Sequence, residues 1–210
     1  MYPYQYFSLF KTVDDLINVY QSINDKSTVA AIKAQALAKF DIILPEKFDD
    51  FDTFLKVIFD EKLTKASAKT YFEVHLKPLV SPFKVPSNKA VEKVFRKVKK
   101  IQIPNWSSLD LRENTYVAWH DPGQGRKFIL FYDEHDKLQG TFGEFGSNAI
   151  KGLCAICQEM TTISLFLATT KSSGDGTYTK KGNYICLDSD ACNQHLYDLS
   201  SFHGFLNARS

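Results

Sequence analysis

Apolar residues in the first third of the chain recur every three or four positions. This spacing places them on one face of a helix. Two further stretches, STVAAIKAQALAKF and ASAKTYFEVHLKPLV, have helical composition, and Ser27 is the predicted N-cap of the first. Together these segments predict a small bundle of about four helices. The periodic residues are Leu9, Val13, Leu16, Ile17 and Tyr20 in one segment and Phe51, Phe54, Leu55, Ile58 and Phe59 in another.

A shorter helix is predicted after Ser87, which can serve as its N-cap, and it is bracketed by prolines. Residues 87–104 contain six basic residues against Glu92 alone. Such a helix could bind nucleic acid or an acidic protein. Val91, Phe95 and Val98, however, also give it an ordinary buried face. We therefore favour a solvated basic face on a packed helix.

From Tyr116 onward the apolar period changes to two, which is typical of strands. TYVAWHDP, RKFILFYDEHDKLQGTFGEF and SLFLATT are predicted strands, with DEHDK as a hairpin connection. The change from helices to strands places a boundary near residues 82–87. We expect an α+β protein, in which an N-terminal helical bundle, residues 1–83, is followed by a C-terminal α/β domain, residues 84–210. This domain ends in a four-cysteine element over residues 154–210.

The chain contains four cysteines, Cys154, Cys157, Cys186 and Cys192, in the pattern C-x2-C-x28-C-x5-C. The composition, 44% apolar and 24% charged with a net charge of +2, is that of an ordinary globular protein. The N-terminus lacks the features of a signal peptide, and no apolar run reaches the ~20 residues of a membrane helix, so we expect a cytoplasmic protein. In a reducing compartment this pattern favours a metal over disulfides.

Zinc is the metal that this ligand set favours, because shells of four cysteines close tetrahedrally around it and serve structure rather than catalysis. An iron–sulfur cluster and a redox dithiol remain as alternatives. A strand, a loop, a second strand and the helical stretch SDACNQHLYDLSSFHGFL follow Cys157. This order of knuckle, hairpin and helix is that of a treble-clef zinc finger, although the five residues between the second pair of cysteines depart from the usual two.

Other candidate chemistry is weak. His195 and His203 are close in sequence to the cysteines, but four sulfurs already complete a shell, so we expect both to be surface or packing residues. The chain lacks G-x-x-x-x-G-K-[ST], H-E-x-x-H, G-x-S-x-G and G-x-G-x-x-G. We therefore expect a protein that is not an enzyme.

KVFRKVKKIQIP, RKFILFYDE, GTFGE, KGLCAIC, SLFL and GTYTKKGNYICLDSDACNQ, in this order and spacing, resemble the FusB-type fusidic-acid-resistance proteins, also called elongation factor G-binding proteins. The resemblance implies a two-domain cytoplasmic protein, monomeric, that binds elongation factor G and promotes its release from the ribosome. This release includes elongation factor G that fusidic acid holds on the ribosome. The resemblance implies no direct binding of the drug by this protein. One structural Zn²⁺ is implied on the four cysteines.

The resemblance also implies a contact surface for the factor on the C-terminal domain. The matching positions are Lys181 and Tyr184, with Lys180 beside them in KKGNY, and Phe205 near the C-terminus. Leu153 stands where the family tends to place an aromatic residue. The rival hypothesis is a zinc-finger RNA-binding module, in which the basic helix, the lysines, Tyr178 and Tyr184 would contact phosphates and bases.

Overall fold

The computed structural model describes residues 1–169 and 180–207; Tyr178 lies outside this part of the chain, as does the side chain of Lys180. The chain forms two compact units, Met1–Ser81 and Pro82–Ser210. Helices make up the first unit, and an antiparallel sheet with three helices makes up most of the second. The predicted α+β class is confirmed, and the antiparallel strand pairing makes the second unit α+β itself rather than α/β.

Four helices form the first unit: α1 (Pro3–Ser22), α2 (Lys26–Ile43), α3 (Phe51–Ile58) and α4 (Lys65–Tyr71). The face of α1 with three- and four-residue spacing is buried, including Leu9, Val13, Leu16 and Ile17. After α4 the chain continues as one π-helical turn, Phe72–Leu76, and one 3₁₀ turn, Lys77–Leu79. Helix α4 is therefore shorter than its sequence pattern predicts, since the chain changes helix type at Phe72 and again at Lys77, next to Pro78.

The N-cap of α2 is Asp25, so the prediction of Ser27 is wrong. The carboxylate of Asp25 accepts a hydrogen bond of 2.8 Å from the backbone N–H of Thr28 and one of 2.6 Å from Oγ of Ser27. Asp and Ser are both good N-cap residues. Asp25 is the cap here because its Oδ2 accepts several donors, and the Ser27 hydroxyl is one of those donors.

The sheet of the second unit contains β1 (Val117–Asp121), β2 (Arg126–Tyr132), β3 (Leu138–Phe145), β4 (Ile150–Leu153), β5 (Met160–Thr169) and β6 (Lys180–Cys186). Its order is β1-β2-β3-β5-β4, and β6 also pairs with β5. The predicted DEHDK connection between β2 and β3 is confirmed. Asp133 stabilises it by accepting hydrogen bonds from the backbone N–H groups of His135 and Lys137, each 3.0 Å long.

Helix α5 (Asn88–Val94) covers one face of the sheet and has Ser87 as its N-cap, as predicted. Val91 and Phe95 pack in one core cluster with Phe128 and Leu130 of β2. The close approach requires Gly140 in β3, because a Cβ atom there would lie 2.5 Å from Cζ of Phe95. The basic residues of this segment therefore point away from the sheet.

The last helical stretch is divided into α6 (Ser189–Gln194) and α7 (Ser200–Asn207), so the prediction of one continuous helical stretch is wrong. Asp188 is the N-cap of α6 and accepts hydrogen bonds from the N–H groups of Asp190 and Ala191. Asp198 accepts a hydrogen bond of 2.8 Å from the N–H of Ser200 at the start of α7. The break lets Phe202 of α7 stack on Tyr116, with 5.0 Å between the ring centroids.

Candidate metal centre and contact surface

The four cysteines meet at one buried point of the second unit. Cys154 directly follows β4, Cys157 lies in the next turn, Cys186 ends β6 and Cys192 lies in α6. All four sulfur atoms lie within 4.8 Å of one another. The chain therefore follows the predicted order of knuckle, two paired strands and helix, and the helix supplies the last of the four sulfurs.

The sulfur geometry fits a tetrahedral metal and excludes disulfides. The Sγ atoms of Cys154 and Cys192 are 3.8 Å apart, and those of Cys157 and Cys186 are 3.6 Å apart. A tetrahedron with Zn–S bonds of ~2.3 Å has sulfur–sulfur edges of ~3.8 Å. A disulfide requires an S–S distance of ~2.05 Å. The four side chains could thus bind one metal ion without rearrangement.

Backbone amides support negative charge on the sulfur of Cys154. The N–H groups of Ile156 and Cys186 donate hydrogen bonds of 3.3 and 3.4 Å to Sγ of Cys154. Hydrogen bonds from the thiols of Cys157, Cys186 and Cys192 also lower the pKa of Cys154. The pKa of Cys192 is raised, first by its hydrogen bond with Cys154 and then by those with Cys157 and Cys186. Four thiolates this close repel one another, so a bound cation is what permits all four to ionise.

Lys127 of β2 extends beneath the cysteine cluster and was not identified from the sequence. Its side chain is buried, with 3% of the residue exposed. The ammonium donates hydrogen bonds of 2.9 Å to the carbonyl oxygen of Cys186 and 3.0 Å to that of Leu187. Burial lowers the pKa of Lys127, while the nearby Cys192, Cys186 and Asp188 oppose that shift. A buried cation beside four cysteines suits a site whose ligands are anionic.

Asn193 was also missed, although it directly follows Cys192. Its Oδ1 accepts hydrogen bonds from the N–H groups of Thr115 and Tyr116, at 2.8 and 3.3 Å. Its Nδ2 donates to the carbonyl oxygens of Tyr116 and Ser189, each at 3.0 Å. One buried amide therefore connects α6 to the chain that enters β1. Neither His195, which is partly buried, nor His203, which is exposed, belongs to the cysteine cluster.

The residues proposed to contact a partner are not on one face. Tyr184 is exposed and pairs with Leu165 of β5, whereas Lys181 is exposed and pairs with Ala168. Positions three apart on a strand point to opposite faces. Phe205 is buried, with its ring centroid 6.1 Å from that of Phe166. Tyr184 nevertheless lies against the knuckle, because its carbonyl oxygen accepts a 2.9 Å hydrogen bond from the N–H of Ala155.

Exposed apolar side chains concentrate around the cysteines. Leu153 and Met160 are opposite one another on β4 and β5, and they are 53% and 70% exposed. Tyr184 is 44% exposed. Among the described residues of the second unit, every large hydrophobic classed as exposed except Val85 is at most four positions from a cysteine. The set surrounds the cysteines and includes both faces of the sheet, since Ile150 and Leu153 are three positions apart on β4. We call it the metal-end surface: Ile150, Leu153, Met160, Tyr184 and Leu187.

A polar cleft of about 530 Å³ lies elsewhere, between the β2–β3 hairpin and α7. Asp133, Glu134 and His203 are among its lining residues. None of these belongs to the metal-end surface.

In the described parts of the chain, no helix combines the length and apolar content needed to cross a membrane.

Comparison with known proteins identifies the family. Residues 1–84 match the model of a family described as elongation factor G-binding protein, N-terminal. The solved structure of the fusidic acid resistance protein FusC aligns with this chain at a TM-score of 0.93 and 37% sequence identity, over 100% of this chain and 97% of that one. The chain belongs to the FusB-type family of fusidic-acid-resistance proteins. This confirms the resemblance to the FusB-type family that the sequence motifs indicated. No match is found among curated protein sequences.

Proposed function

We propose that this protein binds elongation factor G through the metal-end surface and thereby protects translation against fusidic acid. Membership in the FusB-type family supports the partner. The observation that carries the location is the concentration of exposed apolar side chains next to the cysteines, at Leu153, Met160 and Tyr184. Exposed apolar patches on soluble domains mark interaction sites.

The four cysteines would hold one structural Zn²⁺ in a treble-clef-like finger. The ion supplies a closed tetrahedral link and no reactive position. Cys154 and Cys186 would fix the ends of β4 and β6, and Lys127 and Asn193 would fix the surrounding chain. Leu153 and Tyr184 flank these ligands, so they would be presented on a rigid support. Preorganised contacts lose less entropy on binding than mobile ones.

The contact itself would combine one aromatic anchor with smaller contributions. Tyr184 supplies a rigid apolar ring with a polar tip, of the type enriched among binding hot spots. Lys181 and Lys180 would add positive charge at the β6 edge. Phe205 is buried against Phe166, so its role would be to support the surface from within rather than to contact the factor directly.

Release of elongation factor G from the ribosome, including complexes stalled by fusidic acid, would follow from coupling rather than from a chemical step. If binding of this protein weakens the equilibrium affinity of the factor for the ribosome, the ribosome must weaken binding of this protein by the same ratio. The proposal needs neither catalysis nor contact with the drug. It describes a monomer acting in the cytoplasm, where translation occurs.

The test is a pull-down of purified elongation factor G by this protein, before and after nuclease treatment. We expect retention of the factor to be unchanged by nuclease. Loss of retention after nuclease would indicate that RNA mediates the contact, and no retention in either sample would refute the proposed partner. A pull-down with the chain carrying Cys154→Ala and Cys186→Ala is the matched control for the metal-end surface.

A further inference from the structure

A dense group of cations in the second unit is not used by the function proposed above. It lies on α5 and the turn that follows, where Val91, Phe95 and Val98 face the sheet. All six of its members are exposed. We call this set the basic face: Lys89, Lys93, Arg96, Lys97, Lys99 and Lys100.

The charge on the basic face is not compensated within the part of the chain that the structure describes. None of its six residues forms an ion pair there, whereas Lys84, just before α5, pairs with Asp136 at 2.6 Å. Glu92 is the only acidic residue between positions 87 and 104. Like charges kept this close repel one another and destabilise the folded state. The arrangement therefore has a cost that a structural role does not explain.

The charge is also local. Residues 105–210 contain nine basic and twelve acidic residues, and residues 1–86 contain eleven of each. The positive potential of the protein is thus concentrated on one short segment. A localised charge of this kind orients an approaching partner of opposite sign and raises the association rate.

We propose that the basic face steers an acidic surface of elongation factor G toward the metal-end surface. This inference rests on the proposed function, since it names the same partner. Five of the six cations are lysines, hydrated point charges that attract carboxylates and phosphates alike. The lack of an exposed aromatic ring in this segment favours a protein over nucleic acid. The aromatic residue of the segment, Phe95, is buried and offers no ring for stacking on bases.

The test measures association and dissociation rates of purified elongation factor G at several salt concentrations. The variant is Lys89→Glu/Lys93→Glu/Lys97→Glu, and Lys93→Gln/Lys97→Gln is a milder second variant that leaves α5 less perturbed. The matched control, Lys26→Glu/Lys39→Glu/Lys62→Glu, makes the same charge change at exposed lysines of the first unit. Retention of a ribosomal RNA fragment on filters is measured in parallel.

At low salt we expect the triple variant to associate about tenfold more slowly, with a dissociation rate within twofold of the unmodified chain. The control should associate at the unmodified rate, and the difference should fade as salt rises. An unchanged association rate, an equal slowing in the control, or loss of RNA retention alone would each overturn the inference while leaving the proposed function intact. If the unmodified chain does not bind the factor, the proposed function and this inference both fail.

Discussion

The Nζ atom of Lys127 lies 2.9 Å from the carbonyl oxygen of Cys186 and donates a hydrogen bond to it. This contact joins the second strand of the sheet to the backbone of a cysteine in the candidate metal site. The lysine is buried, and in the described part of the chain its ammonium donates to the carbonyl oxygens of Cys186 and Leu187. Four thiolates around a divalent cation carry a net charge of about −2, which the ammonium would partly balance.

Lys127→Met should therefore weaken metal binding. The variant keeps much of the side-chain volume but removes the charge and the donor to the carbonyl oxygens of Cys186 and Leu187. Changes next to a metal shell typically lower metal affinity about 10- to 100-fold. Competition with a coloured zinc chelator measures this directly. Lys137→Met, at an exposed position of the β2–β3 hairpin, is the control, and equal metal retention in both variants would contradict the role given to Lys127.

The metal content is a separate prediction. Protein purified without chelators should contain one zinc ion per chain, because the sulfur separations of 3.6 and 3.8 Å match a zinc tetrahedron. Elemental analysis measures it. The four thiols should react with a thiol reagent only after the metal is removed. Absence of zinc, or free reaction of all four thiols in the native protein, would contradict the prediction.

Asn193→Ala should lower the free energy of unfolding by about 3 kcal/mol, since it removes four hydrogen bonds to buried and partly buried backbone groups. The affected groups are those of Thr115, Tyr116 and Ser189. Chemical denaturation of the metal-loaded protein measures the change. Gln194→Ala, one position along the same helix and exposed, should change it by less than about 0.5 kcal/mol. Similar values for the two variants would mean that the Asn193 hydrogen bonds contribute little.

Leu153 and Met160 provide a test of the metal-end surface that leaves all four cysteines unchanged. Leu153→Ala and Met160→Ala should each weaken binding of elongation factor G by about three- to tenfold, because each removes exposed apolar area from the proposed contact. The two residues are cross-strand partners, so their effects should not be additive. Calorimetric titration measures the affinities. Val85→Ala is the control, since Val85 is 47% exposed but far in sequence from the cysteines.

The sequence predicts best what depends on neighbouring residues. The β2–β3 hairpin and the N-cap Ser87 follow from local pattern, and so does the cysteine pair Cys154 and Cys157. Where two local signals compete, prediction is harder. Asp25 and Ser27 are both suitable N-caps, and the hydrogen bond between them decides which one acts. The break before α7 had a usable signal, because Asp198, Ser200 and Ser201 are residue types that favour the start of a new helix.

Residues brought together by the tertiary fold leave little local signal. Lys127 is 59 positions from Cys186, and nothing in the strand RKFILFY shows that its lysine is buried rather than exposed. The burial of Phe205 against Phe166 depends on how α7 packs on the sheet. Alternation along β6 could have revealed that Lys181 and Tyr184 point to opposite faces, since the two are an odd number of positions apart.

The most direct test of the account is the equilibrium dissociation constant of elongation factor G for the Tyr184→Ala variant. Tyr184 is exposed beside the knuckle and is the aromatic anchor of the proposed surface, so its loss should cost about 2 kcal/mol or more, which is about 30-fold in affinity. The variant should keep its zinc and its thermal transition, because the cysteine cluster is untouched. A folded, zinc-loaded Tyr184→Ala protein that binds the factor within twofold of the unmodified chain would contradict the account.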